Sequence, residues 1–245
     1  MDNALYVALS RQQILSREMD IVANNIANAD TPGFKVESTI SQANPKSLPD
    51  GSATGPATLN FVLDTGVARD FSQGALTQTG RPLDVGIEGD GFFQVSTAAG
   101  QRYTRDGRFQ LDPTGKLITA SGDAVSGDGG DITLDPSKGE PTIASDGSIS
   151  QGSLKVGKLD VYRFASLSDL TKDGAGLYSS TSGATPVAAT DARLAHGSVE
   201  ASNVQPVIEV TRMIEVSREY ERIAKLMDQT SQLNSEAVER LGKVS

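Results

Sequence analysis

Phe61-Val62-Leu63-Asp64-Thr65-Gly66 is the stretch whose residue types come closest to doing chemistry. Asp-Thr-Gly after an apolar run is the arrangement used for aspartic-type peptide hydrolysis, in which two such aspartates share one proton and activate a water. The string occurs once, so catalysis would require a symmetric homodimer that pairs Asp64 with its own copy. Asp-x-Gly is also common turn chemistry. A turn therefore outweighs a hydrolase.

Other chemically suggestive strings fail on spacing. Gly86, Gly89 and Gly91 lie in GIEGDGFF, without the G-x-G-x-x-G order, a following helix or a phosphate-loop Lys-Ser/Thr. The Asp/Gly-rich SGDAVSGDGGD fits neither the EF-hand spacing nor the glycine-rich calcium repeat, and reads as a solvated loop. His196 is the only histidine and cysteine is absent. Multi-histidine metal sites, thiol catalysis, disulfides and Cys-based zinc sites are thereby excluded. No Gly-x-Ser-x-Gly elbow is present. The residues support no catalytic centre, cofactor or metal.

Composition narrows the partners. A net charge of −9 over 245 residues, with no basic run, excludes the phosphate-neutralising surface of a nucleic-acid binder. No apolar run reaches bilayer-spanning length, and MDNALYVALSRQQ breaks its apolar stretch too early for a secretory signal peptide. The expectation is cytoplasmic residence or export without a cleaved signal.

The two ends carry helical periodicity. Leu5, Met19 and Ile26 share a heptad position with polar Gln12. Ala8, Leu15 and Val22 share a second position, widened by Leu9 and Ala23. Val7, Ile14 and Ile21 form another seven-residue series on a different side, so this helix is expected to be contacted from two sides. Near the other end, Met213, Tyr220, Met227 and Leu241 share a position with Asn234, while Val216, Ile223 and Ala237 supply the second; Val210, Ala224 and Val238 widen it. Ser202 and Gln205 have capping-box spacing, with Pro206 in the first turn. Pairing the two helices would bury both seams, with Gln12 and Asn234 acting as register devices.

Between the ends the period becomes two. Leu83–Ile87, Arg108–Leu111, Asp131–Leu134 and Leu159–Val161 read as half-buried strands, punctuated by Asp-Gly and Asp-Pro-Thr-Gly turns. The expected fold is α+β. A discontinuous N- and C-terminal helical coiled-coil domain flanks an antiparallel all-β middle domain. Its segments are 1–35, helix; 36–75, extended linker; 76–199, β domain; and 200–245, helix.

The first helix ends in ANNIANADTPGFK. Asn24, Asn25 and Asn28 occupy its last turns, where asparagine is a mediocre helix former. Asn24 and Asn28, four residues apart, share a side and read as a polar docking face flanked by Asn25. Thr31-Pro32-Gly33-Phe34 then reads as a helix-terminating turn, with Pro32 stopping the helix and Gly33 supplying positive φ.

That string resembles the N-terminal signature of the flagellar rod and hook axial family. RPLDVGIEGDGFFQVSTAAGQRYTRDGRFQLDPTGKLITASG and GSVEASNVQPVIEVTRMIEVSREYER resemble the same family's β-domain and C-terminal motifs, in the same order. The start, length and ending are similar to the proximal-rod branch. The distal-rod branch is the competitor, but its usual Leu-Tyr-Gln-like string is missing after Gly-Phe-Lys. The resemblance implies a non-enzymatic subunit, exported through the flagellar type III apparatus, that polymerises in the periplasm. The implied partners are its own copies, the proximal and distal rod subunits, and the ring bushing around them.

Overall fold

The computed structural model describes residues 2–47, 58–180 and 185–242, which form two compact units. The helical unit comprises Met1–Ala27, Glu37–Arg69 and Gln205–Ser245, and the β unit comprises Asn28–Val36 and Asp70–Val204. The architecture is α+β, with terminal helices flanking a mostly antiparallel β region.

In the helical unit, α1 (Asp2–Ala27) and α2 (Pro206–Gly242) pack together. Two strands, β1 (Glu37–Ser47) and β2 (Thr58–Arg69), pair as an antiparallel ribbon, so part of the stretch expected as linker is hydrogen-bonded. α1 packs against both ribbon strands as well as α2. Its two apolar series thus have two partners inside one chain. A lone two-stranded ribbon is marginal in water, and the apolar side of α1 supplies the support it lacks.

Asp64-Thr65-Gly66 lies within β2 and forms no turn. Asp64 opposes Ser41 and Gly66 opposes Ile40, leaving Thr65 as the extra residue of a β-bulge. Gly66 at φ 142° gives the backbone freedom that such an irregularity needs. The expected turn is thus replaced by an irregularity within the ladder; the side chain of Asp64 lies outside the described ones.

The β unit is built around β3 (Phe92–Thr97), which pairs with β4 (Gly100–Thr104), Ala124–Gly127 and Val161–Arg163. Strand alternation sends Phe93 and Val95 into one core with Val85, Phe109, Leu117 and Val125, and Phe92 into a second with Tyr103, Phe164 and Tyr178. Edge-to-face ring contacts, such as Phe93–Phe109 at 5.1 Å and Tyr103–Phe164 at 4.7 Å, fill both. Ile132 and Leu134 are buried as expected, but Thr133 between them forms an isolated bridge to Lys116 in place of a strand. Aspartates at the turns accept neighbouring N–H groups; Asp112 Oδ1 takes those of Thr114 and Lys116 at 2.8 Å. These Asx turns reverse the chain between short strands.

Candidate assembly interface

The helical unit is held in register by cross-helix pairs seven residues apart. Arg11 donates to Glu219 at 2.7 Å, and Arg212 donates to Glu18 at 2.9 Å. Moving from 11 to 18 on α1 corresponds to moving from 219 to 212 on α2, so the helices are antiparallel. Both pairs are partly exposed and contribute on the order of 0.2–1 kcal/mol each. They choose the register, whereas burial of Ala8, Ile14, Leu15, Val22 and Val216 supplies most of the stabilisation, roughly 1.5–3 kcal/mol for each large aliphatic side chain.

The buried line on α1 is the Ala8/Leu15/Val22 series. Leu5, Val7, Gln12, Met19, Ile21 and Ile26 are half-buried, and Leu9 and Ala23, expected to widen the stripe, are exposed. On α2, Met213, Tyr220, Ile223 and Met227 are half-buried, and Val210 is exposed. On α1, Ile14 of the second series is buried as well; α2, whose main partner is α1 alone, covers one stripe only, and its flanking positions stay open. The side chains of Asn234 and Leu241 lie outside the described ones.

Asn25 departs from its expected place on a docking face. It is fully buried, and its amide behaves like a strand partner. Nδ2 donates to the Glu37 carbonyl at 2.8 Å, Oδ1 accepts from the Glu37 N–H at 3.0 Å, and Nδ2 also donates to Glu209 Oε2 at 2.9 Å. The side chain thereby joins the end of α1, the first residue of β1 and the start of α2. Glu209 sits in the first turn of α2, where the helix dipole favours a carboxylate. Glu37 carries Arg69 at 2.8 Å. Asn24 is exposed, whereas Asn28 serves the turn, its carbonyl accepting from Thr31 N–H at 3.1 Å. The capping box is absent: the Ser202 hydroxyl accepts from Val204, and Gln205 precedes Pro206, its carbonyl taking the first helical N–H groups. Two residues of chain stand between Ser202 and the helix cap, too many for the box.

In the β unit the 31–34 turn forms as expected. Thr31 and Pro32 are half-buried, Gly33 has φ 71°, and Phe34 is buried beneath the Lys172 ammonium, 4.6 Å from the ring centre. Sequence reasoning assigned Gly33 to φ alone. A Cβ there would also lie 2.6 Å from the Arg105 carbonyl carbon and the Asp106 nitrogen, so a side chain is excluded on steric grounds too.

Beside this turn lies a cluster that sequence reasoning missed. Lys35, Arg105 and Glu200 are at most 2% exposed. Lys35 Nζ donates to Glu200 Oε1 at 2.5 Å and to the Ser72 carbonyl at 2.7 Å. Arg105 Nη1 donates to Glu200 Oε2 at 3.0 Å and to the Gly89 carbonyl at 2.8 Å. The Gly74 N–H completes the carboxylate at 2.9 Å, and the Gly33 N–H donates to the Glu200 carbonyl at 2.8 Å. Arg105 also lies 5.4 Å over the Phe92 ring, while its Nε has no partner. Two cations thus share one carboxylate. Burial lowers both cation pKa values, and the nearby Glu200 charge opposes that shift.

Comparison with known proteins connects these features. Residues 5–35 match the family model described as flagella basal body rod protein, residues 86–151 the flagellar hook protein FlgE/F/G D1 domain, and residues 195–240 the flagellar basal body rod FlgEFG protein C-terminal. The chain is 53% identical to the flagellar basal-body rod protein FlgF of Caulobacter vibrioides and 37% identical to that of Mesorhizobium japonicum, with 100% of each chain covered in both cases. It is 32% identical to FlgG of Bacillus subtilis over 97% of this chain and 98% of that one.

The chain belongs to the flagellar basal-body rod family. Within it the chain is of the FlgF type, a structural rod subunit and no enzyme, located at the basal body with other rod proteins. Lys35, Arg105 and Glu200 fall one in each matched segment, so the buried cluster is where the three family motifs meet. The hydrolase reading of Asp64 finds no support among these relatives.

Two tests follow from this geometry. Asn25→Ala strands both backbone groups of Glu37 and one Glu209 oxygen, at about 1–3 kcal/mol per buried unsatisfied group, and thermal unfolding should show a large drop. Asn24→Ala should leave the melting temperature nearly unchanged. In the cluster, Glu200→Gln leaves two buried cations unpaired and should cost about 3–5 kcal/mol, whereas Lys35→Met keeps the Arg105–Glu200 pair and should cost less. Because the folded Lys35 pKa is lowered, its charge penalises folding below that pKa. The penalty is relieved as pH rises through it toward the unfolded lysine value, about 10.4. Denaturant titrations should show stability gained in that alkaline window, and Lys35→Met should flatten the gain.

Proposed function

We propose that this chain builds the torque-transmitting rod by polymerising through its helical unit, with the β unit as a self-contained decoration. The supporting observation is where uncovered apolar surface lies. Among the described residues, thirteen large apolar side chains are exposed, and nine of them belong to the helical unit: Tyr6, Leu9, Ile40, Val207, Ile208, Val210, Ile214, Leu226 and Leu233. Exposed apolar surface concentrated in one unit fits a site of association.

In this reading α1 and α2 form a coiled-coil-like pair inside each subunit, using Leu15, Val22, Val216 and the heptad-spaced ion pairs. The half-buried positions Leu5, Met19, Ile26, Met213, Tyr220, Ile223 and Met227 are completed by neighbouring subunits. Asn24 contributes polar contacts beside them. Shear then has to break many buried contacts together, as a drive shaft requires. The partners are other copies and the neighbouring proximal and distal rod subunits, within the ring bushing. Export through the flagellar type III apparatus delivers the chain to the periplasm.

Tyr6 and Leu9 are exposed, so Tyr6→Asp and Leu9→Asp should leave the melting temperature of the purified protein within a few degrees. The same variants should abolish motility and leave basal bodies without a complete rod by electron microscopy. Normal rods in both would refute polymerisation through this unit.

A further inference from the structure

The β unit comprises residues 28–36 and 70–204, so 193–204 is its far end in sequence, and it closes upon the beginning. Arg193–His196 pairs with Val85–Glu88, and Ser198–Glu200 pairs with Leu76–Gln78. Among the described residues, neither of the earlier strands has another ladder partner. Leu194 enters the same core as Val85 and Ile87, and the Ala201 N–H donates to the Ala75 carbonyl at 2.8 Å. Asn203 ties the other early segments. Its Oδ1 accepts from the Val36 N–H at 2.8 Å, and its Nδ2 donates to the carbonyls of Asp70 at 2.9 Å and Ser72 at 3.1 Å. Gly74 has no room for a side chain, because a Cβ there would fall 2.0 Å from the Ala201 carbonyl oxygen.

Glu200 makes this end more than a last pair of strands. With 193–204 lifted away, Lys35 would keep the Ser72 carbonyl and Arg105 the Gly89 carbonyl. Neither would keep a carboxylate, since Glu200 is the only one bonded to either among the described residues. Stranding a buried charge costs more than losing a backbone hydrogen bond. The two cations could regain water only by drawing the 33–36 turn and the segment around Arg105 out of the fold with them.

From this chain order and charge arrangement we infer that 193–204 is an obligatory closing latch. The β unit has no stable form from which this stretch is detached, and the rest of the unit does not fold ahead of it. Domains of a chain that emerges N-terminus first fold in the order they appear. Here the β unit stays open until Glu200 and Asn203 have arrived, so its locking waits on delivery of its whole sequence. This closure is a property of the fold alone and goes beyond the assembly reading above.

Native-state hydrogen exchange of the full-length chain, over a series of sub-denaturing guanidinium concentrations, reads the coupling. The N–H groups of Gly33 and Leu194, bonded to the Glu200 and Ser145 carbonyls, report on the latch. Those of Leu117 and Leu134, bonded to the Ile132 and Gly115 carbonyls, report on the core. All four should exchange through one global opening, with opening constants that agree within about fivefold. A larger excess at Gly33 and Leu194 would overturn the latch, because the stretch would then open by itself. Asn203→Ala removes one set of ties and should speed exchange at all four sites by a common factor, about fivefold or more. Acceleration confined to Gly33 and Leu194 would contradict the coupling.

Discussion

Two cations and one carboxylate, held out of water, fix the path of the chain through the β unit. Lys35, Arg105 and Glu200 are separated by tens of residues in sequence, yet each is bonded to another and to backbone that would otherwise be unpaired. Burying such a cluster carries a desolvation cost that the pairing offsets only with good geometry. Its use is therefore specification more than stability. Only one arrangement of the 28–36, 72–74, 89, 105 and 200 segments satisfies every member. Gly33 enters the same arrangement, since the Arg105–Asp106 backbone passes where its Cβ would be.

Asn25 has a comparable task in the helical unit with neutral hydrogen bonds. Its amide replaces a strand partner for Glu37 and holds the start of α2 through Glu209. Each unit is thus closed by a polar device that joins its chain segments, and its apolar surfaces pack around that device. In the β unit those surfaces are consumed in two cores. In the helical unit α1 is covered by α2 and the ribbon, while much of α2 remains open. This division explains how one chain can combine a self-sufficient β unit with an unsatisfied assembling one.

Local and periodic features were legible in the sequence. The heptad series located both helices, Pro206 marked the start of α2, and Thr31–Phe34 marked the turn. The strand signals around Val85, Leu111 and Val161 found real strands, because alternation reflects burial on one face. Partners distant in sequence were not legible. Asn25 looked like Asn24 because both are asparagines in the last turns of a helix, and only the position of Glu37 distinguishes them. Lys35, Arg105 and Glu200 gave no signal as a group, since charge pairing across the fold leaves no spacing rule. The ribbon gives no strand signal because Ser, Pro, Gly and Thr suppress its alternation, and the turn signal at 64–66 falls at a bulge whose partner strand is distant in sequence. A useful clue lay in the family motifs themselves, each of which carries one charged member of the cluster.

The central claim is that assembly uses the helical unit and leaves the β unit as it is in the free subunit. Amide hydrogen exchange of the free protein against the protein in isolated basal bodies tests it most directly. The account predicts that protection gained on assembly concentrates in residues 2–27 and 206–242, with residues 85–200 little changed. Protection gained chiefly across 85–200, with the helices unchanged, would contradict it.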